Sequence, residues 1–453
     1  MSDPYYQDET IAVYHGDCVE VMRTMPDETV DAVITDPPYG IRFMGESWDG
    51  ADISARQQRG KLTSPMPQGV GGPNGGYRSL AAEAGRYDLS ANAEFQEWCA
   101  QWAAECLRLL KPGGYLLAFG GSRTWHRLAA GIEDAGFEIR DSIAWLYGSG
   151  FPKSMDVSKA IDAHLGAIRQ VVGTAKGAGN GSVVRLGSGR SMASEYQIAA
   201  PATDSAAEWE GWGTALKPAF EPIVVARKPV AGTVASNVLA YGTGALHIDA
   251  CRTHTSGSQA RAYTVKRLKP GATLNRTGGN WRPGGEDAEV FEGATKDGRW
   301  PTNVVLDESQ AAELDSQSGL SVSRAGKPRS GQSGEGWSMT ATGAEYDDQG
   351  GASRFFPTFH YEAKAPTAER PEVDGVQHPT VKPLALMQWL VRLVARPGAL
   401  VLEPFAGSGT TLEACIAEGV RCVGIEREAK YLPLIRQRLS KDIDIPLDLG
   451  GIA

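Results

Sequence analysis

The stretch Val33-Ile34-Thr35-Asp36-Pro37-Pro38-Tyr39-Gly40 decides how this chain folds. An apolar, β-prone run (Val30, Ala32, Val33, Ile34) ends in a carboxylate, two prolines and an aromatic ring. Proline has no N–H for a strand ladder, so the strand stops at Asp36. An acceptor-only side chain, a stiff backbone and a flat ring then stand at the C-terminal edge of a sheet, where open α/β sheets hold their ligands. Those groups suit the exocyclic amino group of a nucleobase, a planar conjugated donor and a poor nucleophile. Asp36 and the Pro37 carbonyl can accept its two N–H bonds and restore lone-pair density on the nitrogen. Tyr39 can stack on a base taken out of its helix. Taken alone, the same four residues also describe a strand followed by a proline turn.

A second stretch, Ala399-Leu400-Val401-Leu402-Glu403-Pro404-Phe405-Ala406-Gly407-Ser408-Gly409-Thr410-Thr411, reads as strand, glycine turn and helix start. Gly407 and Gly409 let the backbone come close to a ligand at a helix N-terminus. The next apolar run, Arg421 to Ile425, ends in Glu426, an acidic residue placed to bind ribose hydroxyls. Leu412 stands where a dinucleotide fingerprint needs a small residue, which disfavours a nicotinamide oxidoreductase. No Lys follows the glycines, which excludes a phosphate-binding Walker loop.

Together the two stretches resemble the amino-methyltransferases that modify DNA with S-adenosylmethionine. Asp36-Pro37-Pro38-Tyr39 is similar to their catalytic motif, and Glu403 to Gly409 to their cofactor loop, although the family usually has Asp at the position of Glu403. The catalytic motif comes first, which is the β-class order of bacterial restriction-modification and phage enzymes. A third element, His378-Pro379-Thr380-Val381-Lys382-Pro383, resembles the segment that lies against the cofactor's methionine end. The resemblance implies an α/β, Rossmann-like, doubly wound, mostly parallel sheet with an irregular target-recognition insert. It implies that Asp36, Pro37, Pro38 and Tyr39 carry catalysis. The cofactor set it implies is Asp17 near the adenine, His378 and Lys382, the loop Glu403, Pro404, Phe405, Ala406, Gly407, Ser408, Gly409 and Thr410, and Glu426 on the ribose. Asp before Pro-Pro-Tyr favours N6 of adenine over N4 of cytosine as target. The N4-cytosine enzyme, an RNA methyltransferase and a catalytically inactive DNA-binding homologue stay open as alternatives.

Composition constrains the rest. The 453 residues are 42% hydrophobic and 22% charged, as in ordinary globular proteins, and enough for one large core or two moderate ones. No apolar run reaches the roughly 18 residues of a membrane span, and no signal peptide is visible, so the cytoplasm is the expected compartment. Six cysteines at 18, 99, 106, 251, 415 and 422 form no CxxC pair, which argues against zinc and against a disulfide framework. None follows a proline, so the Pro-Cys nucleophile of carbon-5 cytosine methylation is missing. The net charge of −9 is unusual for a partner of duplex DNA. Charge is unevenly spread, however. Between Asp249 and Glu286 there is no acid, and Arg252, Arg261, Lys266, Arg267, Lys269, Arg276 and Arg282 are the expected DNA contacts. Arg169, Lys176, Arg185 and Arg190 form a second acid-free segment.

Along the chain, the expectation is a catalytic half over 1–160, a target-recognition insert over 161–360 with one strand of the sheet near 220–227, and a cofactor-binding half over 361–453. Residues 41–93, rich in Gly, Ser, Gln and Pro, read as a flap over the flipped base anchored by Phe43 and Trp48. Phe95, Trp98, Trp102, Cys106 and Leu109 recur at helical spacing and belong to a core-facing helix over 95–110. The resemblance implies that the strand at Trp145 helps form the base pocket, with Trp145 and Tyr147 as candidate walls. One helix is expected over 154–171, carrying Lys153 and Lys159 toward DNA, and the loops of 228–360, with Trp281 and Trp300, look like the recognition insert. The resemblance also implies a cognate restriction endonuclease as partner, and a monomer or a homodimer as the assembly.

Overall fold

Ten strands form the main sheet of this computed structural model, and the first break in its pattern is the Pro37-Pro38 stop. The structure describes residues 3–40, 90–148, 150, 154–176, 195–253, 262–268, 288–294, 298–322, 348–359 and 370–441. The expected flap with Phe43 and Trp48 lies outside them.

The strands are β1 (Tyr6–Gln7), β2 (Ile11–His15), β3 (Val30–Thr35), β4 (Leu110–Phe119), β5 (Glu138–Leu146), β6 (Phe220–Arg227), β7 (Val304–Asp307), β8 (Thr358–Phe359), β9 (Leu400–Glu403) and β10 (Arg421–Glu426). Their order is β1-β2-β10-β9-β3-β4-β6-β5-β7-β8. From β2 to β4 every pairing is parallel, as are β5 with β7 and β7 with β8. β6 runs against both of its neighbours, with Phe119 opposite Ile223 and Trp145 opposite Glu221. The sheet is therefore mostly parallel with one reversed inner strand. That reversal brings the start of β6 to the edge where the parallel strands end.

Side chains alternate across the sheet, as a pleated strand requires. Ala32, Ile34, Leu117, Phe119 and Val401 join one apolar layer, and Val33, Leu116, Ala118 and Leu402 the other. Helices α1 (Cys18–Arg23), α2 (Ser90–Leu109) and α3 (Trp125–Asp134) give Met22, Trp102, Cys106, Leu128 and Ile132 to the second layer. Helices α4 (Leu384–Val394), α5 (Thr410–Ala417) and α6 (Leu432–Leu439) give Leu386, Leu390, Leu412 and Ile435 to the first. A fully buried aliphatic side chain contributes roughly 1.5–3 kcal/mol, so both layers hold the sheet firmly. The α2 aromatics are core, with Trp102 wholly buried. The helix expected over 95–110 spans Ser90–Leu109, and β4 begins directly at Leu110, where Val30 pairs with it across a bulge.

Residues Ser149–Ala219 form a separate compact unit. It holds helices Val157–His164 and Asp204–Glu208 and an antiparallel hairpin of Val171–Lys176 with Glu195–Ala199. The helix expected over 154–171 is shorter because Gly166 takes φ +70°, a left-handed stop, and a strand begins at Val171. Buried Asp162 organises this unit: it accepts from Arg169 Nε at 2.7 Å, Ala202 N at 2.9 Å and Thr203 Oγ1 at 2.8 Å.

Candidate active site

Asp36 follows β3 at the edge where the parallel strands end. Its Oδ1 accepts from the Tyr39 hydroxyl at 2.9 Å, and its Oδ2 from Lys382 Nζ at 2.7 Å. A second carboxylate completes the group. Glu221, at the start of reversed β6, lies 3.3 Å from Lys382 Nζ and 3.2 Å from the Tyr39 oxygen. Lys382 sits over the rings of Tyr39 and Phe119, 5.5 and 4.8 Å from their centroids. Burial opposes its charge, but the Asp36 and Glu221 carboxylates overcome that and hold the ammonium above its usual range. Burial pushes the Glu221 carboxyl up, against the pull of Lys382. Tyr39 is held well above a normal phenol by burial and by the two neighbouring carboxylates. Its ring packs over Gly121, where a Cβ would lie 3.1 Å from Tyr39 Cδ2, and its carbonyl accepts from Thr124 Oγ1 at 2.9 Å. Trp145 and Tyr147 are buried beside this group, with Trp145 6.4 Å from Phe119 by ring centroids.

The glycine loop follows β9, the strand next to β3. Gly407 and Gly409 take φ +55° and +81°, and a Cβ on Gly407 would come 3.2 Å from His378 Nε2. The backbone there is bare and left-handed at the N-terminus of α5. Glu403 is fully engaged: Oε1 accepts from Thr35 Oγ1 at 2.5 Å and Phe405 N at 3.0 Å, and Oε2 from Thr411 Oγ1 at 2.6 Å. Burial pushes its carboxyl up to about 8, despite the Thr35 and Thr411 hydrogen bonds. Glu426 ends β10, accepts from Gly407 N at 2.8 Å and from Glu428 N at 2.7 Å, and is pushed up to about 7 by burial. His378, half-buried and edge-on to Tyr431, is brought down to about 4 by desolvation and stays neutral at physiological pH. Buried Arg438 of α6 donates from Nε to Ser408 O at 2.8 Å and pairs with Glu413, which fixes the loop from behind.

The structure brings most of the expected site residues together. Asp17 caps α1 through Val19 N at 2.9 Å, and the chain before it pairs His15 with Glu426. Phe405 packs on Trp98 and Trp102, with ring centroids 5.7 and 5.6 Å away, so its ring serves the core. Ser408 and Thr410 are buried, with their hydroxyls 3.4 Å apart, and Pro404 and Ala406 shape the turn, Ala406 N donating to Ile425 O at 2.8 Å. Lys382, expected at the cofactor's methionine end, directs its ammonium onto Asp36. Glu221 was missed. The available signal was an acid directly before proline at the start of an apolar run, Glu221-Pro222, matching Asp36-Pro37 and Glu403-Pro404.

The expected DNA contacts are scattered. Arg252 pairs with Asp249 at 2.8 Å and lies 5.5 Å from the Trp300 ring centroid. Lys266 and Arg267 lie on a strand, Ala262–Leu268, whose antiparallel partner Ala288–Ala294 sets Glu289 opposite Arg267. Arg261, Lys269, Arg276 and Arg282 lie outside the described residues, as do Lys153, Arg185, Arg190 and Trp281. Arg169 is turned inward onto Asp162, and Lys159 pairs with Asp156 at 3.2 Å.

Comparison with known proteins identifies the family of the chain. The DNA methylase family (N6_N4_Mtase) matches residues 30–437. The type II methyltransferase M.HindIII of Haemophilus influenzae is 24% identical over 241 residues, 51% of this chain and 63% of that one. The type II methyltransferase M.BamHI of Bacillus amyloliquefaciens is 26% identical over 116 residues, 26% of this chain and 19% of that one. The matched stretches thus span less than two thirds of either relative. Among solved structures, the cytosine-N4-specific PvuII DNA methyltransferase covers 97% of this chain and 90% of its own at 12% identity and a TM-score of 0.40. The M1.HpyAVI–SAM complex covers 95% of this chain and 100% of its own at 15% identity and a TM-score of 0.37. Because the match runs through nearly the whole described sheet, from β3 to α6, the chain belongs to the N6/N4 DNA methylase family.

Proposed function

We propose that this protein transfers a methyl group from S-adenosylmethionine to the exocyclic amino group of a base flipped out of duplex DNA, at N6 of adenine. One observation carries the reading. Asp36 and the Gly407–Gly409 turn follow adjacent parallel strands, and the segment from His378 to Lys382 reaches from the turn to the carboxylate. Acceptor and cradle are therefore close enough for one group to pass between two ligands. The loop is the candidate cofactor cradle: its backbone turns left-handed at Gly407 and Gly409 against His378 and Ile435, Glu426 is assigned to the ribose, and Asp17 closely follows His15, the register partner of Glu426. When bound, S-adenosylmethionine supplies an electrophilic methyl. The chain's own residues hold the base. Asp36 and the Pro37 carbonyl accept the amino N–H bonds, Tyr39 stacks on the ring, and the buried aromatics Trp145 and Tyr147 exclude water. The region 161–360 carries target recognition, apart from the strands it gives to the sheet.

Single-molecule sequencing of DNA from cells expressing the protein, beside an Asp36→Ala control, tests this. Modified adenine at one short motif, absent in the control, is expected. Modified cytosine would keep the site and change the base. DNA without any new modification would defeat the reading.

A further inference from the structure

The cluster around Asp36 conflicts with the role assigned to that residue. Asp36 is to accept an N–H bond from the target base, yet each of its oxygens already takes a donor, Tyr39 on Oδ1 and Lys382 on Oδ2. The charge matters more than the count of lone pairs. An amino nitrogen that gains a methyl becomes positive before it loses a proton, so the transition state needs a net negative charge beside it. An Asp36 carboxylate neutralised by an ammonium at 2.7 Å supplies little.

Glu221 resolves this. It stands 3.3 Å from the same ammonium, and the Tyr39 hydroxyl lies within 3.2 Å of it as well. Both donors now on Asp36 have a second acceptor at hand without leaving the cluster. With two carboxylates around one ammonium, the group as a whole carries an excess negative charge. The Lys382 side chain, laid between the rings of Tyr39 and Phe119, can turn from one carboxylate to the other without returning to water.

We propose that Glu221 is a positioning residue for methyl transfer, one that draws Lys382 and Tyr39 off Asp36 when the amino group arrives and leaves Asp36 charged toward it. This rests on the function proposed above. The antiparallel course of β6 is what makes it work: had the strand run with its neighbours, Glu221 would sit at the opposite edge of the sheet.

The test measures single-turnover methyl transfer by the full chain to DNA from cells that lack it. Cofactor and DNA affinities and the melting temperature are read alongside. Glu221→Gln keeps the shape and removes the charge. It is expected to slow transfer on the order of 100-fold, with both affinities and the melting temperature held. Lys382→Met leaves Asp36 and Glu221 facing each other without a cation, which slows transfer too. In the double variant the charge that Glu221 manages is gone. It should therefore be at least as fast as Lys382→Met alone. Losses that multiply in the double variant would mean that Glu221 acts independently of Lys382, which overturns the proposal. So would a Glu221→Gln enzyme within twofold of wild type, or one that loses cofactor binding together with rate. A wild-type protein that transfers no methyl to DNA removes the function reading, and this inference with it.

Discussion

Two groups of carboxylates sit on neighbouring strand ends of this molecule and are satisfied in opposite ways. At the glycine loop, Glu403 and Glu426 are held by hydroxyls and backbone N–H groups that belong to the strands and turns themselves. At the Asp36 end, Asp36 and Glu221 share one side-chain ammonium and one phenol. Backbone donors cannot change partners without moving the sheet, whereas a lysine can. The first arrangement keeps a shape, and the second keeps a charge available.

That contrast can be broken most sharply at Asp36. Asp36→Ala should lower the rate of the proposed methyl transfer by about 100- to 1,000-fold. It should change unfolding free energy by only about 1 kcal/mol, since Lys382 retains Glu221 and the pair is partly exposed. Single-turnover kinetics and urea unfolding on the same variant check both halves, and a large loss of stability would erase the distinction. The loop side should behave the other way round. Glu413→Ala leaves the wholly buried Arg438 without its carboxylate and should cost about 3–5 kcal/mol in urea unfolding. A cost near zero would mean that the loop is not fixed from behind.

Gly407→Ala sharpens the comparison further. A Cβ at φ +55° and 3.2 Å from His378 Nε2 should cost about 1 kcal/mol or more of stability and weaken cofactor binding in a titration. Unchanged affinity would take Gly407 out of the cradle. The smallest effect concerns pH. Glu403 is raised to about 8, so its contribution to stability is full below the ordinary carboxylate range and is lost as pH rises through about 8. Glu426, raised to about 7, acts with the same sign. His378, lowered to about 4, acts with the opposite sign, and its contribution is already complete above its ordinary value. The wild-type melting temperature should therefore fall between about pH 6.5 and 8.5, and Glu403→Gln should fall less. Equal slopes would show that Glu403 is not held as a protonated acid.

How much of this could be read from the chain depended on sequence distance. The stop of β3, the glycine turn and the start of α5 are written locally, in prolines, glycines and an apolar run, and each stands where it was expected. The Asp36 group is not local. Tyr39 and Glu221 are 182 positions apart, and Lys382 and Asp36 are 346 apart. Only the reversed direction of β6 joins the first pair, and nothing in the apolar run Ile223-Val224-Val225-Ala226 reveals which way a strand points. The inward turn of Arg169 was hidden for a different reason: its partner Asp162 is only seven positions away, but the burial of that carboxylate is not written in the chain.

The antiparallel entry of β6 has one more consequence. Leu146, at the end of β5, and Phe220, at the start of β6, are register partners. The chain therefore leaves the sheet and returns to it through two adjacent residues, with the whole unit Ser149–Ala219 spliced between them. To the sheet, that unit is the loop of a hairpin. A hairpin loop can be lengthened, exchanged for another or cut short without altering a single strand pairing. Relatives could thus trade this module like a cartridge while the Asp36 edge beside its port stays the same.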